Sequence, residues 1–190
     1  MRRDMAITER RLTLDEFLAL PEEEPALELE PDGTVTQKVS PNGKHSALQG
    51  GFVSLIDGFA RPRRLARAFP ELRTVFGGAA YVPDVSVYRW ARIPFADEGE
   101  VADDFREPPD VAVEIISPGQ SVTGQVRRCV WYVEHGIEVA LLVDVVDRVV
   151  LLFRPNAVPR ALEGTDSIDL ADVVPGFEAT VERLFNALRS

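Results

Sequence analysis

A chain of 190 residues with 45 % hydrophobic residues is long enough to bury a real core, so it reads as a single α/β domain over 1–190 rather than a disordered segment. The net charge of −10 argues against whole-surface attraction to nucleic acid, and no apolar run reaches the ~18 residues that span a bilayer, so no membrane partner is expected. The single cysteine, Cys129, excludes an internal disulfide or a multi-cysteine zinc site, and the charged stretch 1–11 lacks the apolar run of a secretory signal, which predicts a soluble, cytoplasmic protein.

In chain order, Thr13-x-x-Glu16 is a capping box before Phe17 and Leu18, predicting a short helix over 14–20 that stops at Pro21. Strand-like runs at 26–30 and 34–39 flank the turn signal Pro31-Asp32-Gly33 and predict an N-terminal hairpin. Leu48, Phe52, Leu55, Ile56 and Phe59 recur at helical spacing, predicting a helix over 44–60 ended by Pro62. Gly50 and Gly51 inside it each cost about 1 kcal/mol, which implies close packing against another element. The basic run Arg61, Arg63, Arg64 and Arg67 follows, a solvated face or, on a sharper reading, a phosphate-contacting patch. Segments 74–76, 81–88 and 111–116 read as strands, and 96–106 as an acidic, exposed loop. A helix over 121–135 stops at Gly136 and carries Cys129 as a buried thiol. Strands over 138–145 and 148–153 enclose a Val146-Asp147 turn, and 161–190 is mixed. From residue 44 the first six elements run α-β-β-β-α-β, predicting a central mixed sheet flanked by helices.

An acid inside a buried apolar strand is costly unless it is paired or binds a metal. Glu114, in Val-Ala-Val-Glu-Ile-Ile, is one; Asp84, in Tyr-Val-Pro-Asp-Val-Ser-Val-Tyr, is another. Pro83 removes a ladder donor and marks an edge or a bulge, features found beside active sites. Two acids on neighbouring strands can share one hard cation such as Mg²⁺. The competing structural readings are a capped or arginine-paired Glu114 and a turn-forming Asp84. Asp110 shares a strand face with Glu114, but roughly 13 Å of strand separates their α-carbons, so it is expected to start the strand or to sit behind the site. His45 stands near a helix N-terminus, where a capping or surface role competes with a phosphate contact.

As a set, these residues resemble a family. Leu27-Glu28-Leu29 with Asp32-Gly33, Ser40-Pro41 with Gly43-x-His45, and Val82-Pro83-Asp84-Val85 are similar to motifs of the Uma-two type of restriction endonucleases. So are Pro108-Pro109-Asp110 through Val113-Glu114-Ile115-Ile116-Ser117-Pro118, Tyr132 with Gly136-Ile137, Leu142-Val143-Asp144, and Pro175-Gly176-Phe177 to Phe185. The resemblance covers nearly the whole chain. It implies a restriction-endonuclease-like αβββαβ core of the PD-(D/E)xK nuclease type, with Asp84 and Glu114 on Mg²⁺ or Mn²⁺. Glu28, which by itself reads as an exposed strand charge, would be a weaker third carboxylate. Two positions depart from the pattern. The superfamily's lysine place, two residues after the second acid, is Ile116, and the family's alternative lysine, four residues before Tyr132, is Arg128. Arginine keeps the charge but does not give up a proton near neutral pH. Gly124 stands where the family often has aspartate.

The function expected is therefore a metal-dependent endonuclease acting on DNA, with Asp84, Glu114 and Arg128 as its catalytic set and Arg61, Arg63, Arg64 and His45 as phosphate contacts. A homodimer follows from the two sites that a double-strand cut needs. The alternatives are a nuclease fold that has lost catalysis and serves as a binding or regulatory module, favoured by Arg128, and a two-carboxylate glycoside hydrolase, disfavoured by only 8 % aromatic residues.

Overall fold

The computed structural model describes residues 11–117 and 119–189. All but the last residue of the charged stretch 1–11, and Pro118 of the Ser-Pro motif, thus lie outside the described residues. The capping box forms as expected: Thr13 Oγ1 accepts the Glu16 N–H at 3.3 Å, and Glu16 Oε2 accepts the Thr13 N–H at 2.9 Å. It opens α1, Leu14–Leu18, which ends two residues short of the predicted stop. The hairpin pairs β1, Leu27–Leu29, with β2, Val35–Gln37. Gly33 turns the chain at φ +87°, and a Cβ there would stand 2.8 Å from the Leu12 carbonyl oxygen, so only glycine fits.

Next comes α2, Gly43–Ala60, capped by Asn42 accepting the His45 N–H. Its two glycines differ. A Cβ on Gly51 would lie 2.5 Å from the Ala187 Cβ, so the C-terminal segment is the element packed against it, whereas a Cβ on Gly50 would meet nothing.

The remaining strands are β3, Ala66–Pro70; β4, Thr74–Phe76; β5, Ala79–Tyr81; β6, Val85–Arg89; β7, Val111–Ile115; β8, Val139–Asp144; β9, Val149–Phe153; and β10, Arg160–Glu163. Helix α3, Val122–Glu134, links β7 to β8, and α4 is Val181–Phe185. A six-stranded sheet has the order β10-β9-β8-β7-β6-β3, with β7 and β8 parallel and the other pairs antiparallel. The smaller sheet has the order β2-β1-β5-β4. The order α2-β3-β6-β7-α3-β8 is the expected αβββαβ core around a mixed sheet.

Two elements differ from expectation. The first core strand is β3, not the strand at 74–76. Further, the run 81–88 is not one strand: it leaves the small sheet after Tyr81 and enters the large one at Val85. The acidic loop is also less exposed than its composition suggests, because Phe105 is buried and its carbonyl accepts the Val75 N–H at 2.9 Å.

Alternation along the central strands builds two cores. Val111, Val113 and Ile115 face α2 with Val85, Val87, Leu48, Phe52 and Ile56. Ala112, Ala140 and Leu142 face α3 with Cys129, Tyr132 and Val133. Burying each such large side chain stabilises the fold by about 1.5–3 kcal/mol. Among the described residues no helix is long and apolar enough to cross a membrane.

Candidate active site

The crossing from the small sheet to the large one positions the first acid. Val82-Pro83-Asp84 bridges β5 and β6, and the antiparallel register Val85↔Val113 sets Asp84 opposite Glu114 on the α3 side of β7. Both are buried, at 2 % and 4 % exposure. Asp84 Oδ2 accepts the Ile115 N–H at 2.7 Å, which stitches the acid to the strand that carries its partner. Glu114 Oε1 accepts the Tyr132 hydroxyl at 2.6 Å, so this core tyrosine of α3 also orients the second acid.

Cations reach the pair from two directions. Arg128 lies one turn before Tyr132 on α3 and so faces the same site. Its Nη1 is 2.8 Å from Glu28 Oε2 and 3.9 Å from Glu114 Oε1, and its Nη2 is 3.4 Å from Glu30 Oε1. The guanidinium also stacks over the Tyr81 ring at 4.7 Å, while the Tyr81 hydroxyl donates to Glu30. From the other side comes Lys38, just beyond β2. Its Nζ is 2.7 Å from Asp84 Oδ1, 2.7 Å from the Val82 carbonyl and 2.9 Å from Glu71 Oε2. His45 Nε2 stands 3.3 Å from Asp84 Oδ1, at ion-pair distance without hydrogen-bond alignment, and its Nδ1 is 2.9 Å from the buried Ser117 hydroxyl. Glu28, Lys38, His45, Asp84, Glu114 and Arg128 line one cavity of about 160 Å³. His45, Glu71 and Asp84 offer ligand atoms within 4.8 Å of one another, an acidic and histidine group able to hold a metal ion.

The environments of the two acids push them apart. Burial alone would raise Asp84, but the adjoining His45 ring and Lys38 ammonium hold it below the ordinary aspartate value. Burial, reinforced by the Asp84 charge, pushes Glu114 up to about 8 despite Arg128 and Lys38. Burial pulls Lys38 down, yet Asp84, Glu114 and Glu71 outweigh it and keep the ammonium above its usual value.

The structure thus gathers Asp84, Glu114, Arg128, Glu28 and His45, all named from sequence. Glu28 is not an exposed strand charge: at 2 % exposure it accepts the Val82 N–H at 2.9 Å and pairs with Arg128. His45 does take a cap through its backbone, but its ring is buried in the site. Arg61, Arg63 and Arg64 are not brought in. They are exposed at the far end of α2, and Arg61 is sixteen residues, roughly 24 Å, along the helix from His45. Arg63 caps the Phe59 carbonyl at 2.7 Å, and Arg61 pairs with Asp57. Asp110 is excluded from the site because Arg89 and Arg92 hold it. Sequence reasoning missed Lys38, Glu71 and Ser117. One signal for Lys38 exists: only Lys38 and Lys44 occur among 21 basic residues, the rest being arginine.

The family model Uma2, described as "Putative restriction endonuclease", matches residues 14–182. The crystal structure of "a putative nuclease belonging to DUF820" from Anabaena variabilis ATCC 29413 superposes with a TM-score of 0.88 at 39 % identity. That match covers 93 % of this chain and 99 % of the other. No curated protein matches the chain. The family match spans most of the sequence, and the fold agrees with that of the Anabaena protein: this chain has the restriction-endonuclease-like fold and belongs to the Uma2 family.

Proposed function

We propose that this protein is a divalent-metal-dependent endonuclease that hydrolyses phosphodiester bonds of DNA, with Asp84 and Glu114 as the metal ligands. The observation that carries this reading is a charge imbalance. Five carboxylates, Glu28, Glu30, Glu71, Asp84 and Glu114, gather around two fixed cations, Lys38 and Arg128. Glu28, Asp84 and Glu114 are buried, Glu30 and Glu71 part-exposed, and acids in excess of the fixed cations call for a proton, as on Glu114, or for a further cation in its place. The donor set suits one: hard oxygens for Mg²⁺ or Mn²⁺, with the His45 imidazole favouring Mn²⁺. Such an ion, when bound, supplies Lewis acidity toward water and toward the charge that builds on phosphate.

The chain's own groups do the rest. Glu114, which burial pushes up to about 8, would hold such an ion as the carboxylate, its proton passing to solvent. Tyr132 and the Ile115 N–H hold Glu114 and Asp84 in place. Arg128 presents positive charge to the phosphate, and Glu28 and Glu30 fix its direction. The single domain acts as a homodimer when both strands are cut. With Arg61, Arg63 and Arg64 far from the acids, any contact they make falls on flanking phosphates. Binding to DNA is then local and weakens steeply with salt.

One observation favours the alternative of a catalytically impaired binding module: Ile116 fills the usual lysine place, and Arg128 is engaged by two glutamates. Cleavage of plasmid and single-stranded DNA with Mn²⁺ decides between them. The expected result is cleavage by wild type that is lost in Glu114→Gln. DNA binding without cleavage selects the module, and neither binding nor cleavage overturns both.

A further inference from the structure

Asp84 has one carboxylate oxygen committed to the fold and one left for a ligand. Oδ2 accepts the Ile115 N–H at 2.7 Å. Oδ1 is the oxygen left to face a cation, and the Lys38 ammonium sits on it at 2.7 Å. The same Nζ lies 2.7 Å from the Val82 carbonyl and 2.9 Å from Glu71 Oε2. An ammonium has three N–H donors, and three acceptors surround this one, so none is left for a phosphate or a water. Two of the three groups able to hold a metal together, Asp84 and Glu71, are therefore already bound to a cation that belongs to the chain. An ammonium and a divalent ion repel each other, and one carboxylate oxygen does not serve both.

The side chain also has somewhere to go. Lys38, Glu71 and Gln49 line a second cleft of about 890 Å³ that Glu114 does not line. Gln49 donates to Glu71 Oε1 and to the Asp84 carbonyl at 2.8 Å each, which holds Glu71 on the wall of this cleft, while Lys38 lines both spaces. Lysine's four-carbon stem lets its charge swing between them.

We propose that Lys38 is a tethered cation occupying the divalent-ion position on Asp84, and that loading the ion displaces its ammonium toward the adjoining cleft. This rests on the reading of Asp84 as a metal ligand, and not on cleavage of DNA. It assigns Lys38 the opposite role to a catalytic lysine: it neutralises the acids before the ion arrives and weakens the ion's binding.

The chain's two lysines make the test clean, since Lys44 is exposed. In wild-type protein labelled with ¹⁵N-lysine, Lys38 is expected to give the one slowly exchanging ammonium resonance, because a part-buried ammonium with all three N–H groups bonded is shielded from water. Titration with Mg²⁺ alone should abolish that resonance as the site saturates. In parallel, calorimetry should show Mn²⁺ binding Lys38→Met about tenfold or more tightly than wild type, because no ammonium has to be moved. A resonance that persists at Mg²⁺ saturation, equal or weaker Mn²⁺ binding by Lys38→Met, or no ion binding by either protein would overturn the proposal. No nucleic acid is present in these measurements, so a protein that fails to cut DNA leaves them intact. The resonance experiment needs no variant and stands even if Lys38→Met does not fold.

Discussion

Asp110, immediately before β7, and Glu114, within it, lie four residues apart, and the fold has built opposite surroundings for them. Asp110 is closed. Its Oδ2 accepts the Arg89 N–H at 2.7 Å, its Oδ1 is bound by the Arg89 and Arg92 guanidiniums, and Glu138 completes the Arg89 fork. Asp110 lines none of the cavities of about 890, 410 and 160 Å³. Glu114 instead meets a tyrosine hydroxyl, a guanidinium at 3.9 Å and a neighbouring acid, beside a cavity of about 160 Å³. A buried acid in a strand is therefore not a functional signal by itself. What separates the two positions is the balance of buried acids and fixed cations, one acid to two guanidiniums at Asp110 and three acids to two cations at Glu114, and whether a cavity adjoins.

The largest expected effect breaks that comparison on activity. Asp84→Asn or Glu114→Gln should lower Mn²⁺-dependent plasmid cleavage on the order of 10²-fold or more. Asp110→Asn should leave cleavage per folded molecule within a few-fold. Equal losses at 110 and 114 would mean that the two buried acids are not different in kind.

The next effect runs the other way, on stability. Asp110→Ala strips two guanidiniums of their shared partner, and removing one side of a buried pair costs about 3–5 kcal/mol. Because Arg89 and Arg92 side chains are each 30 % exposed, the lower figure is expected from urea denaturation. Glu114→Gln should cost far less at neutral pH and gain above it. With Glu114 pushed up to about 8, the folded protein holds a proton there that the unfolded chain, at an ordinary glutamate value near 4.5, has released. The sign follows: metal-free wild type loses stability as pH rises from about 4.5 through 8, and glutamine, having no proton to lose, is spared. Melting curves from pH 5 to 9 should show the advantage of Glu114→Gln growing by on the order of 4 kcal/mol, most of it below pH 8. A constant difference would remove the raised value.

Much of this was legible in the sequence because strong local patterns carried it. The αβββαβ order follows from helical spacing in α2 and α3 and from the apolar run of β7. The pairing of Asp84 with Glu114 follows from two acids in neighbouring strand-like runs. The failures are equally physical. β3, Ala-Arg-Ala-Phe-Pro, is an edge strand whose arginine lies over Phe69 at 4.8 Å, so its composition resembles a loop. The continuous run 81–88 hides a change of sheet, which alternation alone does not mark. Glu28 looked exposed because a lone hairpin has a wet face, and only α3 packing brought Arg128 over it. Lys38 and Glu71 meet across 33 residues, a contact that depends on how the small sheet sits on the large one.

The smallest expected effect concerns Arg128, where the family's pattern has lysine. Arg128 reaches Glu28 with one nitrogen and Glu30 with the other, while covering the Tyr81 ring. Lysine keeps the charge but loses the fork and the flat stacking surface. It should therefore settle on Glu28, the closer and more buried partner, and leave Glu30 to the Tyr81 hydroxyl. If Arg128 acts on phosphate as charge alone, Arg128→Lys should change cleavage by less than about tenfold, whereas Arg128→Gln should lower it on the order of 10²-fold. The split between kcat and KM sharpens this. Loss of a charge that acts only as the phosphate's charge develops lowers kcat, whereas loss of a docking contact raises KM. A rise of more than tenfold in Arg128→Lys would instead mean that lysine contributes a proton or a mobile donor that arginine withholds. In that case the site of this chain is one that its arginine holds back. Asp110 would then keep its place as the contrast: a buried acid held by two arginines, where holding is the whole function.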